Sequence, residues 1–334
     1  TAMKNKLLAA MAIFGMVASA SAVKINNNIS INGFIDGSYS NVDADGAATM
    51  DETNVGIDEV EVNILVNAGN VSGELHLDTE DADNDSGISL EQVHFSYGFA
   101  NGLTATAGRF GSSLGFERED PAGLYTFSRA YGNDFDLGDV DGRGAQEGIR
   151  LGYSAGDFSF SASVFNPVGT VEETNDNNGD VAGGATSEDN LDYEIAVAYN
   201  GLDNLAIGGG FQVANGASTG GAASTDTTTT NLHAAYTLNK LLIGAEYVNI
   251  DVDVTGDRSA YLLLADYDIN NKAGIAVRYS EWETNAAGAE TNKLSIAPNY
   301  AITDSLGAIL EWASTDTGAA QDEDQLAIEL TYTF

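Results

Sequence analysis

Apolar and polar residues alternate along most of this chain. From Val60 to Val66 every second residue is apolar, while Glu59, Glu61 and Asn63 lie beside or between the apolar positions. Because successive side chains of an extended strand point to opposite faces, this pattern predicts a strand with one apolar and one polar face. The same alternation recurs at 191–199, 261–269 and 275–279, which indicates an all-β chain.

The connections between the alternating segments are short and long in turn. The short turns are rich in Gly, Asn and Asp and suit tight hairpins. The long loops lie near 41–55, 79–87, 111–142, 166–189, 214–227, 249–257, 282–291 and 315–323. Eight long and seven short connections join sixteen strands. Short periplasmic turns and long external loops are typical of a transmembrane antiparallel β-barrel, whereas a soluble β-sandwich has no reason to sort its loops this way.

The N-terminal segment has the three parts of a secretory signal peptide. A charged start precedes the apolar run Leu7 to Val17 and the small residues Ala20 to Ala22. The alternative is a transmembrane helix, but the run of about 11 residues is too short, because a helix needs about 20 to cross a bilayer. We interpret 1–22 as a signal peptide, with two leftover residues ahead of Met3, and 23–334 as the mature barrel in the outer membrane of a Gram-negative-type bacterium.

Composition excludes several classes of protein. The chain has no cysteine, so it is not a small disulfide scaffold. Hydrophobic residues make up 43% of the chain and aromatic residues 9%, which favours a folded protein despite the formal net charge of −37. That negative charge argues against a nucleic-acid partner, since nucleic acids bind basic surfaces.

The last residues form an amphipathic strand that ends in an aromatic residue. Leu330, Tyr332 and Phe334 lie on one apolar face, and this terminus resembles the signal by which bacterial outer-membrane proteins are recognised for insertion. An ordinary edge strand is the alternative. The pattern predicts contact with the barrel-insertion machinery, and a barrel in this membrane also contacts its lipids and lipopolysaccharide.

The stretch from Leu103 to Arg150 concentrates the scarce cations. It holds five of the seven arginines, namely Arg109, Arg118, Arg129, Arg143 and Arg150. Between its two alternating ends lies a loop, roughly 111–142, that is also rich in acidic residues. Unstructured loops of this length in a compact domain are usually functional or disordered. We interpret the loop as a segment folded into a pore.

Motifs of this stretch resemble a known family. This stretch resembles the loop region of bacterial β-barrel porins of the porin-2 type at three places: Gly108 to Glu117, Asp120 with Pro121, and Leu124 to Tyr131. Porins of this type are similar to general diffusion porins. The resemblance implies a third loop that folds inward and narrows a channel for ions and small hydrophilic solutes. It also implies a homotrimer. The Arg-rich loop is third in this chain as well.

Alternation predicts which side chains face the lumen. With the apolar phase assigned to lipid, the predicted lumen wall comprises Glu61, Glu74, Asp192, Glu194, Glu246, Asp266, Asp268, Lys293, Glu311 and Glu329. The predicted pore constriction comprises Arg109, Glu117, Arg118, Glu119, Asp120, Arg129, Arg143, Arg150 and Arg278. Arg109 shares the face of Leu103, and only its position at the loop base favours the pore. Carboxylates outnumber cations, which predicts a modest cation preference, unless the wall is merely solvated.

The first long loop carries a metal-like pattern. Asn41, Asp43, Asp45, Gly46 and Glu52 match positions 1, 3, 5, 6 and 12 of a calcium loop. The flanking helices of such a loop are missing from the pattern, so an accidental match in an Asp-rich loop is the alternative. We predict no other cofactor. His76 and His94 are interpreted as wall residues.

Nothing in the sequence resembles a nucleophile elbow or a phosphate loop, so we predict a channel and not an enzyme. The main alternative is a structural or adhesive surface protein, anchored by the barrel, whose acidic loops bind calcium. An outer-membrane hydrolase is a third alternative. Conductance in a planar bilayer separates the channel from the anchor.

Overall fold

The structure, a computed structural model, describes residues 22–45, 51–79, 87–117, 121–131, 135, 145–166, 191–215, 226–253, 256–283, 290–318 and 322–334. The predicted signal peptide therefore lies outside the described residues, apart from Ala22. The described residues form strands β1 (Val23–Lys24), β2 (Ile29–Asp45), β3 (Glu52–Ala68), β4 (Val71–Asp78), β5 (Ser89–Gly98), β6 (Leu103–Phe110), β7 (Gln146–Ala155), β8 (Phe158–Phe165), β9 (Asp192–Leu202), β10 (Leu205–Ala214), β11 (Thr227–Leu238), β12 (Leu241–Val252), β13 (Gly256–Asp268), β14 (Ala273–Glu283), β15 (Glu290–Ala301), β16 (Leu306–Asp316) and β17 (Asp322–Thr333). A short 3-10 helix at Pro121–Gly123 lies between β6 and β7.

The strands close into a ring. From β2 to β17 each strand pairs with the next in antiparallel register, and β17 returns to pair with β2, from Asp322 opposite Asp45 to Thr333 opposite Phe34. The result is a closed sixteen-stranded antiparallel barrel, with the two-residue β1 as an extra strand beside β2. The predicted fold class is confirmed. Closure removes the free sheet edges, whose unpaired backbone groups a lipid environment cannot satisfy.

Tight turns join the strands at one end of the barrel. Gly69, Gly102 and Gly156 adopt φ angles of 69°, 86° and 63°, and Asn204 and Asn239 adopt 63° and 56°. These left-handed conformations favour Gly and Asn, which explains the composition of the predicted short turns.

The two faces of a wall strand commonly differ in chemistry, as β9 shows. On β9, Asp192 and Glu194 are buried, whereas Tyr193, Ile195 and Val197 are exposed. Exposed apolar side chains recur around the whole ring, as on the lipid-facing surface of an outer-membrane barrel. Among the described residues, no helix combines the length and apolar character needed to cross a membrane.

The C-terminus completes the closure. Phe334 and Gly33 exchange two backbone hydrogen bonds, each of 3.1 Å, and the Phe334 ring stacks on Tyr332 at 6.0 Å. Leu330 and Tyr332 are exposed on the outer face. The predicted insertion signal therefore lies at the seam between β17 and β2, and its recognition by insertion machinery stays a prediction.

Candidate functional site

The chain that follows β6 turns into the barrel. Its described parts, 111–117 and 121–131, are called here the inward segment. Backbone N–H groups of this segment donate to carboxylates on well-separated strands: Glu194 on β9, Glu246 on β12 and Glu311 on β16. A single segment reaches side chains on so many strands only from within the ring. The predicted inward fold of the third loop is confirmed.

The first half of the inward segment is fastened to β9–β12. Ser113 N–H donates to Glu194 Oε1 at 2.9 Å, and the Ser112 hydroxyl donates to the other carboxylate oxygen. Phe116 N–H donates to Glu246 Oε1 at 2.7 Å. Both carboxylates were predicted to line the open lumen. They instead satisfy backbone donors of a segment that has no sheet partner, as buried N–H groups require.

Arg278 on β14 is the centre of the second half. Its guanidinium forms an ion pair with Glu117 and donates to the carbonyl oxygens of Ser128 and Arg129, each at 2.8 Å. Glu117 also accepts the Ala130 N–H at 2.6 Å. Arg278 is only 1% exposed, so the prediction that it lines the constriction is corrected. It fastens the segment and does not face the passage.

Two further cations hold the segment at its ends. Lys293 Nζ on β15 donates to the Arg129 carbonyl oxygen at 3.0 Å. Arg150 on β7 donates to the Gly111 carbonyl oxygen at 2.6 Å and lies 3.6 Å from Glu194. Both side chains lie on the inner wall, as predicted.

The inward segment also packs on an apolar patch of the inner wall. Leu114 and Tyr131 belong to one buried cluster with Val248 on β12 and Leu262 on β13, and Phe116 packs against it. Gly244 on β12 makes room, because a Cβ there would lie 2.5 Å from the Phe116 ring. This patch was not predicted. The sequence feature that could have predicted this patch is a strand that is apolar on both faces.

The prediction that Arg109 lies in the pore constriction is also corrected. The cross-strand neighbours of Arg109 are Val93 and Glu147, and paired residues share a face. Val93 is an exposed residue of the outer surface, so Arg109 also points outward, and its Nε donates to the Glu91 carbonyl oxygen at 2.9 Å. The alternation of β6 continues to its end, which overrides the proximity to the loop base.

The other predicted site residues have mixed outcomes. Arg118, Glu119, Asp120 and Arg143 lie outside the described residues. All predicted lumen-wall residues lie on the inward face, and their part in selectivity stays a prediction. They are Glu61, Glu74, Asp192, Glu194, Glu246, Asp266, Asp268, Lys293, Glu311 and Glu329.

A run of carboxylates occupies the arc of wall from β17 to β5. We call it the acid wall; its members are Asp36, Glu59, Glu61, Glu74, Asp78, Glu91 and Glu329. The sequences of these five strands contain no Lys or Arg. Four of the carboxylates, Asp36, Glu59, Asp78 and Glu91, were missed. The first three could have been predicted by continuing the alternation of polar residues along each strand.

The predicted calcium residues lie on strands. Asn41, Asp43 and Asp45 are on β2, and Glu52 is on β3, where Asn41 donates to Thr53 Oγ1 at 2.9 Å. The coil of a calcium loop is therefore not formed at 41–45, because alternate residues of a strand lie about 6.6 Å apart. Gly46 lies outside the described residues. Calcium binding stays a prediction.

Comparison with known proteins agrees with this geometry. A family model described as Gram-negative porin matches residues 7–332. No protein with a curated description matches the chain.

Solved structures show the same fold at low identity. The outer membrane channel DcaP of Acinetobacter baumannii is 11% identical with a TM-score of 0.67, covering 94% of this chain and 100% of that chain. An anion-selective porin from Comamonas acidovorans is 15% identical with a TM-score of 0.64, covering 92% and 99%. In-vitro folded OmpT of Vibrio cholerae, in a trimer form, is 13% identical with a TM-score of 0.61, covering 92% and 99%.

Proposed function

The chain belongs to the Gram-negative porin family and forms an outer-membrane channel for passive diffusion, and we propose that this channel carries ions and small hydrophilic solutes with a modest preference for cations. The observation that carries the preference is the acid wall. Its carboxylates lie on five adjacent strands without Lys or Arg.

The size of the preference follows from electrostatics. Carboxylates lining a passage raise the local concentration of cations, and Glu74 is the acid-wall member that does so most directly, since the others are at most 4% exposed. At about 0.15 M salt the screening length is roughly 8 Å, so the effect weakens across the passage and fades at higher salt. Closely spaced carboxylates also share protons, which reduces their total charge. Both effects make the expected preference modest.

Reversal potentials in a potassium chloride gradient test the proposal. Glu74→Gln should reduce the cation preference, because Glu74 is the most exposed carboxylate of the acid wall, with 41% of its side chain accessible. Arg150→Ala should increase it by removing an inner-wall cation. Lys272→Ala, at an exposed turn, is the matched control and should change nothing. Chloride preference in the parent channel overturns the proposal.

The assembly is proposed to be a homotrimer. The OmpT structure described in a trimer form shares the fold of this chain, and that likeness is the support for the proposal. Cross-linking of the barrel in outer-membrane vesicles tests it, with a band at three times the monomer mass as the expected product. Monomers alone, under conditions that cross-link a known trimeric porin, contradict it.

We expect no enzymatic activity, since the porin family and fold are those of channels that are typically non-enzymatic. An open ohmic conductance in a planar bilayer is the expected behaviour. A correctly folded but silent barrel would favour the anchor function, in which acidic loops bind calcium.

A further inference from the structure

We propose that Glu61, His76 and Glu91 form a binding site for a divalent transition-metal cation such as Zn²⁺ on the inner wall of the barrel. The three residues come from β3, β4 and β5, and one donor atom from each lies within 4.8 Å of the others. An imidazole nitrogen with carboxylate oxygens is a ligand set that suits zinc.

The donor distances fit a shared ion. His76 Nδ1 lies 3.1 Å from Glu61 Oε1 and 3.7 Å from Glu91 Oε2. Ligands about 2.0 to 2.1 Å from a tetrahedral zinc ion lie about 3.3 Å from one another, so the observed distances bracket the expected value. Small side-chain movements bring all three atoms to a common centre.

The cluster has more negative charge and more buried acceptors than its own hydrogen bonds satisfy. Glu61 Oε2 and Glu91 Oε2 are buried without a hydrogen-bond partner. Glu61, Glu74 and Glu91 bring three carboxylates to the His76 imidazole, and Glu74 Oε2 also lies 3.9 Å from His94 Nε2. In the described part of the chain, His76 is the ion-pair partner of both Glu61 and Glu91. Even a protonated His76 leaves a net negative cluster, which a divalent cation would neutralise.

The other ring nitrogen of His76 has the partner that metal-bound histidines use. His76 Nε2 lies 3.3 Å from Glu74 Oε2. A ligating histidine almost always donates its second N–H to a carboxylate, carbonyl or water, which fixes its tautomer and orientation. Glu74 is the positioning residue here, and its 41% exposure opens the cluster towards the lumen.

A backbone irregularity aims the third ligand. The register between β4 and β5 shifts at His76/Leu77, where Gln92 pairs with His76 and Leu90 pairs with Leu77. Glu91 is the additional residue of this bulge, and it is buried although Val93, two residues further along the strand, faces outward. Bulges often redirect a side chain next to a functional site. Alternation counted back from Val93 would place Glu91 on the lipid face, and the bulge moves it to the inner face.

The nitrogen ligand decides between classes of cation. Calcium prefers all-oxygen coordination, whereas imidazole suits zinc, copper and nickel. We therefore expect zinc to bind this site far better than calcium, independently of the acidic residues at 41–52.

Isothermal titration calorimetry of the full folded barrel in detergent, with zinc chloride as the probe, tests the site. The parent should bind one zinc ion per chain. His76→Gln and Glu91→Gln should each weaken binding at least tenfold, because each removes a ligand. His233→Gln is the matched control, since His233 lies on β11 beside Asn231 and should leave zinc binding unchanged.

Heat-modifiable migration on gels confirms that each variant is folded. If His76→Gln does not fold, Glu91→Gln alone serves as the ligand-removal variant. The proposal is overturned if the parent takes up no zinc, which would leave His76 as a hydrogen-bonded bridge between carboxylates. It is also overturned if zinc binds the parent and both folded variants equally. Calorimetry reads binding directly, so the result does not depend on the ion preference of the channel.

Discussion

Replacing Arg278 by Ala should release the second half of the inward segment while the barrel remains folded. The guanidinium of Arg278 pairs with Glu117 and donates to the carbonyl oxygens of Ser128 and Arg129. The backbone ladder that holds the barrel lies in the strands and does not pass through these bonds. The variant therefore loses the hydrogen bonds and the ion pair that hold the inward segment, while the strands of the barrel stay paired.

The size of the effect follows from burial. Glu117 is 8% exposed, so the variant leaves a carboxylate shielded from water without its cation. Removing one partner of a buried ion pair costs about 3–5 kcal/mol. Since about 1.4 kcal/mol changes an equilibrium tenfold, the docked state of the segment should lose roughly a hundred-fold to a few-thousand-fold in relative population.

Single-channel recording in a planar bilayer measures the release. Arg278→Ala should show a larger mean conductance and frequent transitions between levels, because the segment no longer holds one position. The double variant Arg278→Met with Glu117→Gln should recover part of the parent behaviour, since no buried charge stays unpaired. Lys272→Ala, which removes an exposed cation, is the control. Parent-like conductance and noise in a folded Arg278→Ala barrel would refute the anchoring role.

Two further predictions concern assembly and constriction. Phe334→Asp should reduce the yield of heat-modifiable, membrane-inserted barrel, because it places a charge at the lipid-facing seam where Phe334 and Gly33 exchange hydrogen bonds; normal yield would contradict the insertion role. Deletion of Phe116 to Phe135 should leave the barrel folded and raise its conductance, because the inward segment occupies part of the lumen; an unchanged conductance would place the segment outside the ion path.

The barrel was predictable because its signal is periodic and repeated. Each strand alternates over several residues, and the short turns carry the Gly and Asn that left-handed conformations favour. A wrong boundary in one strand does not change the predicted number of strands, since the neighbouring strands show the same alternation. The inward fold of the third loop was also predictable from its length and its concentration of arginines.

The roles of individual residues were harder to predict than the fold, because alternation shows which face of a strand a side chain lies on but not which groups surround it. Glu194 and Glu246 lie on the predicted inner face, yet they accept backbone N–H groups of the inward segment. Arg109 shows the reverse error, because proximity to the loop was given more weight than the phase of its strand. Glu91 was beyond reach, since a bulge between β4 and β5 reverses its phase and no sequence period records that shift.

The wall strands contain a signal for the docking place of the inward segment. A strand between lipid and water alternates, whereas a strand that is covered on both sides is apolar on both faces. Tyr261 to Leu264 is such a run, and Leu262 and Leu264 are buried in the cluster that includes Leu114. Gly244, on the neighbouring strand, leaves the space that the Phe116 ring fills. The docking position of the inward segment is thus encoded in β12 and β13 as well as in the loop, so a loop transplanted without these wall residues would lack the apolar part of its docking surface.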